Sequence, residues 1–262
     1  MNGTRRALLL TPALAWAGLA ATGRSAAAEL PELVAAAKAS VLPVGTFNAT
    51  DSPRFGFRGT GFVVGDGTLL ATNAHVLPEG VGADSGPQMV AMVGAAGRGG
   101  AEATLRRLRV VALDRPRDLA LLQFEGPALT PMVLAEDGSA REGQAVALMG
   151  YPIAGALGFA PVTHRGIIAS ITTAAQPAPN ARVLDPRAVT KLREGNFEVY
   201  QLDATAYPGN SGGPLIDATN GRVLGIVNMV LVKGSRESAL SSPTGITYAI
   251  PISHLRDLLR TR

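Results

Sequence analysis

The 262-residue chain contains no cysteine. Disulfide staples, a thiol nucleophile, cysteine-ligated zinc and iron–sulfur chemistry are therefore excluded. Aromatic residues are scarce, 5% of the chain with a single tryptophan, so the core is expected to consist mostly of Val, Leu, Ile and Ala. Charged residues make up only 17% against 47% hydrophobic, which excludes a disordered or fibrous chain. There is no internal repeat. Gly59 and Gly61 lack the third glycine of a nucleotide-binding loop, and the run after them reads as strand, not helix. What is abundant is glycine (31) and proline (18), which suits many short strands and turns. The length permits one large domain or two of roughly 100 residues each, either able to bury a real core.

The N-terminus does not belong to that core. Arg5 and Arg6 precede an apolar stretch over 7–21, and a small-residue run ends at Ala26-Ala27-Ala28. Basic region, short apolar region and A-x-A-like site are the three parts of a secretory signal spanning 1–28, with cleavage expected before Glu29. The apolar stretch contains Pro12 and Gly18 and falls short of the roughly 20 residues that span a bilayer, which disfavours the alternative of an uncleaved anchor. The Arg5-Arg6 pair fits twin-arginine export as well as an ordinary signal. The expected location is exported, periplasmic or secreted. The signal carries Arg5, Arg6 and Arg24 and no acid, so the 24 basic residues fall to 21 against 20 acidic ones. That balance gives no case for nucleic-acid binding. Arg106, Arg107 and Arg109 read as a solvated strand face.

After the signal, 29–40 is expected to form a short helix or arm with Leu30, Leu33, Val34 and Ala37 on one face. From Val41 the pattern changes to short apolar runs bounded by turn residues. Strands are predicted over 41–47, 59–64, 68–73, 89–93, 106–113 and 119–124, with a tight turn at Asp66-Gly67. A linker over 127–138 separates these from strands at 145–149, 163–172, 197–203, 223–232 and 244–250. Residues 78–103 and 173–196 hold long loops. A terminal helix over 253–259 is expected, with Ser253 as its N-cap. Two sets of about six strands and one closing helix predict an all-β fold of two six-stranded antiparallel barrels. The first barrel is assigned to 41–130, and the second, with the helix, to 131–262.

Chemistry centres on Pro208-Gly209-Asn210-Ser211-Gly212-Gly213-Pro214. A serine between glycines sits on a sharply folded loop, and its small neighbours let a substrate carbonyl approach the backbone. The N–H groups of Gly209 and Ser211, flanking Asn210, are then placed to serve as oxyanion donors. A serine hydroxyl needs a base, usually histidine. The chain offers His75, at a strand end in Ala71-Thr72-Asn73-Ala74-His75-Val76, as well as His164 and His254. Asp118 opens the apolar run Leu119-Ala120-Leu121-Leu122, where a carboxylate is costly to bury unless hydrogen-bonded. Holding the far N–H of a histidine satisfies it. The bland alternative, an ion pair with Arg115 or Arg117, suits Asp114 better.

The order His75, Asp118, Ser211 and its flanks resemble the trypsin/chymotrypsin-like serine peptidases, and within them the bacterial HtrA (Deg)-type protease domain. The matching stretches are Gly59-Thr60-Gly61-Phe62-Val63-Val64, Thr72-Asn73-Ala74-His75-Val76, Asp118-Leu119-Ala120-Leu121-Leu122, Gly209-Asn210-Ser211-Gly212-Gly213-Pro214-Leu215 and Gly245-Ile246-Thr247-Tyr248-Ala249-Ile250-Pro251. They run in family order from about residue 40 onward. The resemblance implies a cleft between two barrels in which Ser211 attacks, His75 shuttles the proton and Asp118 fixes its tautomer. Gly209, Asn210 and Ser211 form the oxyanion loop. It implies polypeptide substrates and no cofactor or metal.

Three departures narrow the type. The digestive relatives carry an aspartate before the nucleophile that pairs with a freed N-terminus; here Asn210 supplies no charge, so that zymogen switch is not expected. A trypsin-like specificity carboxylate would lie six residues before the serine, where the chain has Thr205 followed by Ala206. With Val227, Asn228 and Met229 expected as another wall, small or medium aliphatic side chains are predicted at the primary position. The terminal helix lies close to the end of the sequence, so the PDZ domain usual in HtrA proteins is not expected and its control is not transferred.

Two rivals remain. Gly209-Asn210-Ser211-Gly212-Gly213 also matches the esterase elbow of α/β-hydrolases, with Asp217 and His254 as nominal partners, but that elbow needs a helix after the serine. The other rival is a catalytically silent scaffold on the same fold.

Overall fold

A computed structural model of the chain describes residues 29–80, 88–94, 103–152, 158–174, 197–228 and 245–262. The expected signal at 1–28 lies outside them, as do Met229 and most of the loops at 78–103 and 173–196. Twelve strands appear among the described residues: β1 Val41–Phe47, β2 Phe55–Val64, β3 Leu69–Asn73, β4 Gln88–Val93, β5 Thr104–Asp114, β6 Leu119–Phe124, β7 Ala145–Gly150, β8 Val162–Thr173, β9 Glu198–Asp203, β10 Pro214–Asp217, β11 Val223–Asn228 and β12 Ile246–Pro251. They close into two barrels, β1-β2-β3-β6-β5-β4 and β10-β11-β12-β9-β8-β7. Every pairing between these twelve strands is antiparallel, and adding six to each strand number of the first barrel reproduces the second. The two halves thus share one topology without a readable sequence repeat. Closure removes the exposed strand edges that open sheets must otherwise protect.

The strands near the barrel contact are buried on both faces, which explains their unbroken apolar runs. In β2 the side chains alternate: Val63 fills the first barrel, while Phe62 and Val64 face a cluster between the barrels. In β7, Val146 and Leu148 fill the second barrel, while Ala147 and Met149 join the same central cluster. By contrast β5 is half-buried over most of its length, with Arg107 and Arg109 turned to solvent.

Among the described residues, two helices flank the barrels. The first, α1 (Leu30–Ala37), has Pro31 in its first turn and a capping box between Glu29 and Glu32. The second, α2 (Ile252–Arg260), packs Ile252, Leu255 and Leu258 into the central cluster. Its start corrects one expectation: Pro251 precedes the helix, and Ser253 lies inside it with no capping bond. Proline has no N–H to lose and a φ close to helical, so β12 passes directly into α2. The segment after β6 crosses between barrels. Met132 N–H donates to Val63 C=O at 2.9 Å, and Ala135 N–H then donates to Val223 C=O at 2.9 Å. Arg256 of α2 clamps this crossing through the Ala135 carbonyl at 2.8 Å.

Candidate active site

Asp118 lies in the turn between β5 and β6, with its N–H donating to Arg115 C=O at 3.1 Å. Its φ is +55°, the left-handed region, which aspartate tolerates better than most residues. This bend turns both ends of the residue toward the segment after β3. Its carbonyl accepts from Asn73 Nδ2 at 3.0 Å and from Ala74 N–H at 3.1 Å. Its carboxylate accepts from the His75 N–H at 2.8 Å and meets His75 Nδ1 at 2.6 Å. A carboxylate only accepts, which assigns the imidazole proton to Nδ1 and leaves Nε2 as the basic nitrogen. The neighbouring Asp114 pairs with Arg117 at 2.9 Å, as its surface position predicts.

The serine loop is tied down by its main chain. Asn210 N–H donates to Tyr207 C=O at 3.0 Å, Gly213 N–H to Asn210 C=O at 3.0 Å, and Gly212 N–H to Val227 C=O at 2.9 Å. Gly209 and Gly212 have φ of +106° and +84°, and a Cβ on them would strike the Tyr151 and Thr60 carbonyls respectively. From the first barrel, Thr60 N–H donates to Ser211 C=O at 2.9 Å and the Thr60 hydroxyl donates to Gly209 C=O at 2.6 Å. Among the described residues, the N–H groups of Gly209 and Ser211 have no protein partner. Ser211 is 6% exposed. No hydrogen bond joins its hydroxyl to His75 among the described residues, and such bonds tighten on substrate binding in many hydrolases.

Asn210 is fully buried, and neither end of its amide has a partner among the described residues. A carboxylate in that unpaired position would be far more costly than the neutral amide. Among the described residues, the other two histidines make no such carboxylate contact. His164 lies against the Tyr207 ring at 5.8 Å and His254 against Phe197 at 5.7 Å. Burial holds both below the ordinary histidine pKa. Asp217 is engaged by Gln144 and by the turn residues Thr219 and Asn220. After Ser211 the chain enters β10 instead of a helix, so the esterase elbow is not built.

Of the expected specificity residues, Thr205 is half-buried and Ala206 buried. Val227 is fully buried in the second-barrel core. Asn228 turns its amide to Asp118 Oδ2 at 2.8 Å, and Met229 lies outside the described residues. Asn73, Thr60 and Asn228 are the contributors that composition and spacing did not single out for these contacts. The first two lie in the quoted motifs, which was the available signal. Among the described residues no cluster of three or more His, Asp or Glu side chains could hold a metal ion.

The family model described as the trypsin-like peptidase domain matches residues 59–226. The chain belongs to this family. Trypsin-like relatives include the chloroplast Protease Do-like 5 of Arabidopsis thaliana, 30% identical over 74% of this chain and 53% of that protein. The mitochondrial serine protease HTRA2 of Bos taurus is 30% identical over 77% of this chain and 35% of that protein. A probable periplasmic DegP-like serine endoprotease of Chlamydia trachomatis is 29% identical over 74% and 31%. The chain therefore spans about half the length, or less, of these curated relatives. Among solved trypsin-like folds, Deg5 superposes with a TM-score of 0.60 at 23% identity, covering 87% of this chain and 90% of that one. An HtrA-type protease solved with a tripeptide gives 0.61 at 22% identity over 89% and 63%. These last two likenesses are of fold.

Proposed function

We propose that this chain is a serine endopeptidase that cleaves peptide bonds through an acyl-enzyme. Ser211 attacks the scissile carbonyl, His75 Nε2 takes the hydroxyl proton and returns it to the leaving amine, and Asp118 holds Nδ1–H in place. The N–H groups of Gly209 and Ser211, on either side of Asn210, receive the oxyanion. Water then hydrolyses the acyl-enzyme with His75 again as base. Every step uses side chains and main-chain groups of this chain. The observation that carries the reading is the 2.6 Å contact of His75 Nδ1 with Asp118, made by the one histidine that meets a carboxylate in this way among the described residues.

Primary specificity for small or aliphatic side chains is proposed from the neutral, small Thr205 and Ala206, which offer no charge to a Lys or Arg side chain. The substrate class is unfolded or damaged polypeptide, because only an extended segment exposes its carbonyls to a serine 6% exposed. The location proposed is exported, periplasmic or secreted, resting on the signal at 1–28.

The test is covalent labelling with a fluorophosphonate, followed by digestion of an unfolded protein with cleavage sites read by mass spectrometry. Wild type labels and cuts after small or aliphatic residues, and Ser211→Ala does neither. A profile dominated by Arg or Lys removes the specificity reading. No labelling and no cutting by wild type favours a silent scaffold.

A further inference from the structure

We infer that Thr60 is a positioning residue whose hydroxyl aims the peptide lying between the two oxyanion donors. This inference rests on the serine-peptidase reading.

The peptide unit joining Gly209 to Asn210 sits between the Gly209 N–H and the Ser211 N–H. Gly209 itself does not fix its orientation, because at φ +106° it has no Cβ to restrict the backbone. What holds the unit is a pair of bonds, one at each end. Its N–H donates to Tyr207 C=O at 3.0 Å, within the same loop. Its C=O accepts from the Thr60 hydroxyl at 2.6 Å, from β2 in the other barrel.

That hydroxyl has little choice of partner. It accepts the Tyr151 N–H at 3.1 Å, and a hydroxyl carries a single hydrogen, which goes to Gly209 C=O. Thr60 is fully buried, with its own C=O taken by the Thr72 hydroxyl at 2.7 Å and its N–H spent on Ser211 C=O. One first-barrel residue thus grips the carbonyls on both sides of Asn210-Ser211. Its neighbour Gly59 permits the approach, since a Cβ there would come within 3.0 Å of Ser211 C=O. Without the hydroxyl, Gly209 C=O loses its donor, the peptide turns, and the flanking N–H groups no longer converge on one oxyanion.

The experiment compares Thr60→Ser, Thr60→Ala and Thr60→Val with wild type. Turnover of a peptide substrate, inhibition by a peptide boronic acid that forms a tetrahedral adduct, and inhibition by the matching product peptide are measured. Loss of an aligned oxyanion donor in hydrolases costs about 100- to 1,000-fold in kcat, and a misaimed one is expected to cost about 10- to 100-fold. In Thr60→Ala and Thr60→Val, kcat falls by that factor with KM within about twofold, as expected when only transition-state binding is lost. Boronic acid affinity falls in parallel and product affinity holds. Thr60→Ser restores both. Crystal structures of the variants show the Gly209–Asn210 peptide rotated in Thr60→Val and unrotated in Thr60→Ser.

Undiminished kcat in Thr60→Val, equal loss of boronic acid and product binding, an unrotated peptide, or a Thr60→Ser variant as impaired as Thr60→Val each overturns the inference. So does failure of every hydroxyl-free variant to fold, which makes the bond a requirement of folding. If wild type itself neither labels nor hydrolyses, the peptidase reading fails, and the crystal structures still decide whether Thr60 sets the peptide.

Discussion

The Asn228 amide, at the end of β11 in the second barrel, donates to Asp118 Oδ2 of the first barrel at 2.8 Å. The carboxylate that meets His75 is therefore oriented from both sides of the cleft. A hydrogen bond to a charged group contributes about 1.5–3 kcal/mol. We predict that Asn228→Ala lowers kcat/KM by about 10- to 100-fold, the same free energy expressed as a rate. Steady-state kinetics on a peptide substrate checks it, with the melting temperature measured alongside. Unchanged kinetics would mean that the His75 main chain and ring orient Asp118 unaided.

Asp118 combines a chemical and a conformational demand, and two substitutions separate them. Asn tolerates φ +55° as Asp does, so Asp118→Asn keeps the turn and loses the acceptor that selects the Nδ1–H tautomer. Its kcat is expected to fall by about 10⁴-fold, as in the general triad template, with little change in melting temperature. Asp118→Ala is expected to lose as much activity and also about 1–3 kcal/mol of stability from backbone strain. Urea denaturation distinguishes the two.

Tyr151 bolts the barrels together through its hydroxyl, which donates to Val41 C=O at 2.8 Å in a fully buried setting. Burial also pushes its phenol pKa upward, so the group stays neutral at physiological pH. Tyr151→Phe leaves the Val41 carbonyl buried and unpaired. The expected cost is about 1–3 kcal/mol, read as a lower urea midpoint at unchanged slope.

Acid sensitivity should come first from the half-buried histidines His164 and His254. Burial holds the His164 pKa below 6.5, and burial with nearby Arg117 lowers His254, against the opposing carboxylates of Asp114, Asp257 and Asp137. The unfolded chain takes up these protons near pH 6.5, whereas the folded chain takes them up only at lower pH. Between those points the unfolded state binds more protons, so stability falls as pH falls. The loss begins near pH 6.5 and levels off below the folded pKa. His164→Gln should flatten the decline of melting temperature from pH 7 to pH 5. Asp217 acts in a separate window. Burial would raise its pKa, but hydrogen bonds from Thr219, Gln144 and Asn220 outweigh that and lower it below 3.8. Its contribution is lost only as pH falls through that lower value.

The double-barrel architecture was legible because its determinants are local. Short apolar runs such as 41–47, followed by the polar segment 48–54, and 119–124, preceded by the turn at Arg115–Asp118, reproduce β1 and β6 to the residue. The start of α2 was misread, because Ser253 has the right chemistry for an N-cap while Pro251 has the right backbone for the junction. Which side chain faces which space along β2 and β7 was not legible. Both faces are apolar there, so periodicity carries no signal.

The same division runs through the site. His75, Asp118 and Ser211 are marked in the chain itself, since glycines beside a serine and an acid before an apolar strand are costly unless they do something. Asn228, by contrast, reads as a pocket wall until its amide is found on Asp118, and Thr60 reads as one residue of a strand until its hydroxyl is found on Gly209. Those bonds join residues 110 and 149 positions apart. A chain can encode a turn within four residues, but a bond between barrels exists only after both have closed and packed. Linear order therefore settles which residue types are available for the chemistry, and packing settles how they are aimed.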